Sequence, residues 1–220
     1  IHKVWASRSD PALPRALQDL IEQIEVCNEG DDLRWYPGSP QLAAQMLRPR
    51  DHLRMYELHP TESRALKAHF ADVNRGVSIE VADGFAGLKG ILPPPPKRGL
   101  VHIDPPYEMK DDYRRVISTL KEALARFPTG VYAVWSPIVA RRGSDLLPDQ
   151  LKRLAPGKGL HASLRVKANS RDGLGLNGSG MFIVNPPWTL YETLAEALPW
   201  MVENIGIDDH SAYVLESDVK

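Results

Sequence analysis

The 220-residue sequence holds a single cysteine, Cys27. That excludes an internal disulfide framework and any cysteine-rich zinc site, and leaves a packed thiol in a reducing cytoplasm as the ordinary reading. Long apolar runs are lacking as well. None approaches the roughly 20 residues that a membrane-spanning helix needs. Ile1 opens an amphipathic segment, not a charged stretch followed by a short apolar core, so no secretory signal is visible. Net charge is nearly absent: 27 Lys and Arg against 28 Asp and Glu leave −1. No global basic field announces a polyanion binder. Basic residues come instead in short pairs, Lys97–Arg98, Arg114–Arg115, Arg141–Arg142 and Lys152–Arg153. Each pair taken alone reads as a solvated face, and only a shared surface would change that reading.

What is present is an alternation of helices and strands. Leu13, Leu17, Leu20, Ile21 and Ile24 have the spacing of one apolar helical face within residues 12–28. Tyr36 to Pro40 reads as a turn, with Ser39 placed to cap a helix over 41–48 and Pro40 at its first position. Strands are expected at 52–58, 77–83, 99–104 and 130–136, with helices at 61–71, 84–92 and 111–127 between them. Pro93 to Pro96 form a stiff spacer that no helix or strand interior tolerates. Further on come a helix at 144–154, strands at 160–167 and 180–185, a helix at 189–203 and a strand around 212–216. Single helices between strands imply right-handed crossovers and a mostly parallel sheet, with a mixed C-terminal edge where connections shorten. A chain of this length and balance suits one domain, or one domain with a small appendage.

In an open α/β sheet, ligands sit beyond the carboxyl ends of the strands. Three successive strands here end in a carboxylate: Glu57, then Asp83 followed by Gly84, then Asp104-Pro105-Pro106-Tyr107. A carboxylate after such a strand accepts hydrogen bonds from both hydroxyls of a ribose, the part assigned to Glu57. Asp83 is placed to accept from an adenine amino group, with the N–H of Gly84 or Phe85 nearby. The plainer readings are an exposed charge for Glu57 and a helix cap for Asp83. The Asp-Pro-Pro-Tyr run suits a more specific task. The amino nitrogen of adenine or cytosine is a poor nucleophile, because its lone pair is delocalised into the ring. Two acceptors on its hydrogens, the Asp104 carboxylate and the Pro105 carbonyl, would favour a pyramidal nitrogen aimed at a sulfonium methyl group. The prolines keep those acceptors preorganised, and Tyr107 offers a face on which a base could stack. The competing reading is a Pro-Pro turn closed by a buried tyrosine.

The pattern recurs as Asn185-Pro186-Pro187-Trp188. This echo lies two crossovers beyond the other strand ends, so it is read as a structural turn or a second wall of a base pocket. Asp111 and Asp112 read as residues favoured by the dipole at a helix start, not as metal ligands. No metal site is expected.

The runs LRWYPGSP, YELHP, ADGF, GLVHIDPPYEMKDDY and GSGMFIVNPPW, in this order, resemble the bacterial 23S ribosomal RNA (adenine-N6) methyltransferases. The likeness extends from about Val4 to Ala212. It implies a Rossmann-like fold with a small helical insertion and S-adenosylmethionine as methyl donor. By the same resemblance Ser39, Glu57, Asp83, Gly84 and Asp104 would contact the cofactor, with Asp104 catalytic and Pro105 and Tyr107 beside it. It also implies that residues 1–34 are the tail of the insertion and that 35–220 form the methyltransferase domain without its first strand and Gly-rich loop. On that expectation the piece alone would bind cofactor weakly, and function belongs to the complete protein. The expected partner is 23S ribosomal RNA, naked or partly assembled, with a monomeric enzyme in the cytoplasm. The alternative is a DNA adenine methyltransferase, or a DNA-handling protein linked to use of external DNA. A binding module that merely kept the fold would have no need of Asp104-Pro105-Pro106-Tyr107. Residues 168–180 read either as a mobile substrate element, with Arg171 able to touch phosphate, or equally as a plain flexible connection.

Overall fold

The computed structural model describes residues 1–73, 76–170 and 175–219. The chain divides into two compact units, residues 19–91 and residues 1–18 with 92–219. Each is described by itself.

The smaller unit carries two strands, β1 (Leu53–Tyr56) and β2 (Val77–Glu80). They pair in parallel, Leu53 opposite Val77 and Tyr56 opposite Glu80. Helix α3 (Ser39–Gln45) and α5 (Gly84–Ile91) pack on β1, and α4 (Pro60–His69) packs on β2. Pro60 stands at the start of α4, where its missing N–H has no helical partner to lose. Met55, Phe70 and Leu88 form the buried apolar contribution of strand, helix end and helix. Helix α2 (Arg15–Glu25) turns Leu17, Ile21 and Ile24 inward at helical spacing, as its sequence period requires.

The larger unit is built on a five-stranded sheet. Its strands are β3 (Leu100–Ile103), β4 (Val131–Ile138), β5 (Gly159–Arg165), β6 (Gly178–Val184) and β7 (Ala212–Ser217), in the order β3-β4-β6-β5-β7. β3 and β4 are parallel, joined by α6 (Lys110–Arg126). The β4–β6, β5–β6 and β5–β7 pairs are antiparallel. Helix α7 (Arg142–Leu154) packs on β4 and α6, and α8 (Leu190–Ile205) on β5 and β7. A short α1 (His2–Ala6) lies against α8, with Lys3 donating to the Gly206 carbonyl.

The architecture is Rossmann-like α/β, but antiparallel pairing reaches further than the sequence suggests. Among the described residues two ladders are parallel and three antiparallel. The cause is the short connection between β5 and β6, which has no helix among its described residues and brings the chain back beside itself.

α6 shows how the core is made. Val116, Leu120 and Ala123 recur at helical spacing and are buried, as are Tyr132 and Val134 at alternate positions of β4. Each fully buried aliphatic side chain contributes about 1.5–3 kcal/mol relative to exposure. The Tyr132 hydroxyl is buried with them and donates to the carbonyls of Ala123 (3.0 Å) and Phe127 (2.8 Å), two carbonyls at the end of α6. Burial pushes that hydroxyl's pKa up to about 12.

Candidate active site

In the smaller unit the carboxylates expected from the sequence do follow neighbouring parallel strands. Tyr56 is opposite Glu80, and the Glu57 N–H extends the ladder by donating to the Glu80 carbonyl at 3.1 Å. The Glu57 carboxylate is half-buried, and its Oε1 accepts from the His59 N–H at 2.7 Å. Asp83 stands just before α5. Its Oδ1 accepts from the Phe85 N–H at 3.0 Å, so it caps the helix. Gly84 opens the helix where a side chain would crowd Tyr56, a Cβ there lying 3.2 Å from the Tyr56 Cβ.

Ser39 requires a correction. Gly38 is the cap of α3, Ser39 is its first helical residue, and no side-chain hydrogen bond closes that end. The reason is local: Gly38 takes the extended conformation of a cap, which moves the helix start ahead of the serine. Ser39 is exposed there, beside Pro40.

In the larger unit Asp104-Pro105-Pro106-Tyr107 follows β3 at its carboxyl end. Ile103 pairs with Val134, so Asp104 stands level with Trp135 of β4. Its side chain is 46% exposed and lies 3.9 Å from the imidazole Nε2 of His102. Partial burial raises the Asp104 pKa above the usual aspartate value, and His102 opposes the rise.

The loop is held by Tyr107, whose backbone is left-handed, with φ +53°. That conformation costs a non-glycine residue on the order of 1–2 kcal/mol, so other contacts must fix it. The Tyr107 hydroxyl donates to the Trp135 carbonyl at 2.5 Å, and its ring lies against Tyr113 and Trp135 with centroids 4.8 and 6.1 Å away. Its own carbonyl accepts from the Arg141 guanidinium at 3.1 Å. Burial, then the neighbouring Asp104, drives the Tyr107 hydroxyl well above the ordinary phenol range.

These contacts overturn one expectation. Tyr107 is only 2% exposed, so the face expected to stack on a base is covered by its neighbours. The residue locks the loop that presents Asp104 and Pro105. Arg141 and Tyr113, which complete the lock, were not singled out for this role in the sequence. Arg141 was legible only as one of a basic pair just after a strand.

Start of the same loop's helix, α6, is also secured. Asp112 Oδ2 accepts from the Met109 N–H at 3.2 Å, the helix-start use expected for an aspartate there. Asp111 pairs with Arg114 at 2.7 Å. Groups of three or more His, Cys, Asp or Glu able to hold a metal are absent among the described residues.

The Asn185 echo is structural. Its side-chain amide donates to the carbonyls of Pro128 (3.0 Å) and Gly130 (2.7 Å), and its backbone N–H to Lys158 (2.9 Å). Val184 pairs with Tyr132, which puts Asn185 level with residue 131 of β4, whereas Asp104 is level with residue 135. At about 3.3 Å per residue that is roughly 13 Å along the sheet. Asn185 therefore ties a turn and walls no base pocket with Asp104. Trp188 beyond it is exposed. In the expected substrate loop 168–180, residues 168–170 and 175–180 are described and β6 already begins at Gly178; Arg171 lies outside the described residues.

Among the described residues no helix is long and apolar enough to cross a membrane.

The chain is 40% identical over 201 residues to the ribosomal RNA large subunit methyltransferase J of Escherichia coli K12, covering 91% of this chain and 70% of that protein. It is 38% identical over 205 residues to the Haemophilus influenzae protein of the same name, covering 93% and 72%. Among solved structures, protein LPL1258 from Legionella pneumophila superposes with a TM-score of 0.89 at 34% identity, over 99% of this chain and 79% of that one. Residues 1–215 match the model of one family, so this chain belongs to the ribosomal RNA large subunit methyltransferase D, RlmJ, family.

Proposed function

We propose that the protein transfers a methyl group from S-adenosylmethionine to the exocyclic N6 amino group of an adenine in 23S ribosomal RNA. The observation that carries this reading is the rigid Asp104-Pro105-Pro106-Tyr107 loop at the carboxyl end of β3.

The amino nitrogen must present a lone pair, and the chain supplies the means. The Asp104 carboxylate accepts one amino hydrogen, and the Pro105 carbonyl accepts the other. Together they draw the nitrogen out of conjugation and fix its direction. The bound cofactor supplies an electrophilic methyl on a sulfonium. Attack by the oriented nitrogen would form the nitrogen–carbon bond as the methyl leaves its sulfur, and the proton released from the alkylated amino group would pass to water. No strong general base is needed, because the nitrogen becomes acidic only as it is alkylated. Because the ionised Asp104 is the stronger acceptor, activity should fall as pH drops through a midpoint above the usual aspartate value.

For the cofactor, the donor set of the smaller unit fits an adenosyl group. Glu57 Oε1 is already engaged by His59, which turns the carboxylate at the end of β1 and leaves its second oxygen for ribose hydroxyls. Asp83 and the N–H groups at the start of α5 suit the adenine edge, and the absence of a side chain at Gly84 lets a ligand approach the backbone there. Ser39 is read as a further cofactor contact. We also read residues 1–34 as part of a helical insertion. The enzyme is taken to act as a monomer in the cytoplasm, on naked or partly assembled RNA.

The test uses the full-length protein with labelled S-adenosylmethionine and, separately, protein-free large ribosomal RNA and adenine-rich duplex DNA. N6-methyladenine in the RNA alone is expected. Label in the DNA would replace the RNA reading with the DNA one. Asp104→Ala should lower kcat roughly 10²-fold or more, the loss seen when one preorganised polar group is removed, with the thermal midpoint little changed. Normal turnover in that variant would remove Asp104 from the mechanism.

A further inference from the structure

One member of each of two basic pairs noted in the sequence, Arg114 and Arg153, reaches the same surface of the larger unit. Arg114, Ile117, Ser118 and Lys121 lie at helical spacing along α6, and with Gln150 and Arg153 of α7 they line an open groove of about 410 Å³. We propose that this groove binds the phosphate backbone of the RNA substrate outside the Asp104 loop. The inference rests on the ribosomal RNA reading above for the identity of the polymer.

The lining itself argues for a polyanion. It holds three cations, two neutral hydrogen-bonding side chains and one aliphatic residue, and no carboxylate. Most acidic residues of the same helices are directed elsewhere. Asp111 neutralises only Arg114, at the first turn of α6. Across α7, Lys152 pairs with Glu216 of β7 at 3.6 Å, and Asp149 with Glu216 acts on His161 of β5. That acidic side of α7 therefore faces the sheet, while Gln150 and Arg153 face α6. Asp145 acts on Tyr113, and Glu122 has an interaction of its own. Lys121 and Arg153 have no ion-pair partner among the described residues. Two exposed cations brought together by helix packing repel each other, and a phosphate between them would turn that repulsion into binding.

Geometry and chemistry agree with a strand of phosphates. From Arg114 to Lys121 is seven residues, or about 10 Å at the 1.5 Å rise of a helix, long enough to meet more than one phosphate of a strand. Ser118 and Gln150 add hydrogen-bond donors of the kind that position a backbone without reading bases. The groove begins one helical turn after Lys110, the residue that opens α6 beyond the Asp104 loop, so RNA held there could continue toward that loop. In a chain of net charge −1, such a local track supplies what the overall charge does not.

The experiment compares full-length parent and a Lys121→Gln/Arg153→Gln double variant, with protein-free large ribosomal RNA as probe. Affinity is measured across a salt series, and methyl transfer across RNA concentrations. Circular dichroism checks that both are folded. The plot of log affinity against log salt should become shallower by about 1.4 to 1.8, for two contacts at 0.7–0.9 each. KM for RNA should rise roughly tenfold, with kcat at saturating RNA unchanged, and Lys121→Arg/Arg153→Lys should restore both. An unchanged slope and KM would overturn the proposal. So would a loss of affinity for an acidic polypeptide such as polyglutamate without a loss for RNA, which would make the groove a protein site. Failure of the two readings can be told apart. If the parent methylates RNA but the double variant binds it with the parental slope, only the groove is wrong. If the parent methylates nothing yet the double variant shows the shallower slope, only the proposed reaction is wrong.

Discussion

Replacing Asn185 by aspartate separates a structural turn from a second catalytic element. The two side chains have the same shape, and both tolerate the left-handed backbone that Asn185 adopts at φ +53°. What changes is hydrogen-bonding sense. Asparagine offers two N–H donors, here to the Pro128 and Gly130 carbonyls at 3.0 and 2.7 Å. A carboxylate offers acceptors only, so both bonds are lost and its oxygens face two carbonyl oxygens. Two net hydrogen bonds are worth about 1–3 kcal/mol. Because the site is only half-buried, water can reach the new charge, and its added repulsion is kept to about 1 kcal/mol. The expected destabilisation of Asn185→Asp is therefore about 2–4 kcal/mol at neutral pH. Urea unfolding of the full-length protein, followed by circular dichroism, measures it. The sign with pH is also fixed. The new carboxyl is held protonated more readily in the folded state, so its folded pKa is raised above the unfolded one. Destabilisation then grows as pH rises through the folded pKa, and shrinks in acid, where the neutral acid can donate one bond again. A stability within 0.5 kcal/mol of the parent, with altered methyl transfer, would refute this reasoning and make the Asn-Pro-Pro-Trp turn a partner in the chemistry.

His161 and Gly178 offer two further checks. Burial lowers the His161 pKa below 6.5, against the pull of Glu216 and Asp149. The unfolded chain then takes up its proton first, so stability present above pH 6.5 is lost as pH falls toward the folded pKa. His161→Gln should flatten stability against pH across that window, and an unchanged slope would contradict the assignment. At Gly178 an added Cβ would overlap the Leu164 carbonyl and lie 2.7 Å from the Arg165 Cα, both backbone atoms of the paired strand β5. Gly178→Ala should cost about 1–3 kcal/mol, because a backbone in a ladder cannot move aside. A thermal midpoint equal to the parent's would show that the β5–β6 edge yields more easily than this.

Much of the chain's plan was legible without the structure, because it rests on local rules. The apolar spacing of Leu17, Ile21 and Ile24, the alternation along residues 131–134 and the proline spacer at 93–96 need no knowledge of distant residues. The same holds for the carboxylates at the strand ends, since strand, carboxylate and following turn lie within a few positions. Tertiary structure decided what depends on partners far along the chain. Whether Tyr107 is a stacking face or a buried lock was settled by Trp135, Tyr113 and Arg141, 28, 6 and 34 residues away. Asn185 shares its short motif with Asp104, yet carbonyls 57 and 55 residues distant make it a tie for a turn. The antiparallel order β4-β6-β5-β7 and the meeting of Arg114 with Arg153 likewise arise only when elements pack. Side-chain period is a property of each segment, but hydrogen-bond partners and shared surfaces belong to pairs of segments, and the fold alone chooses the pairs.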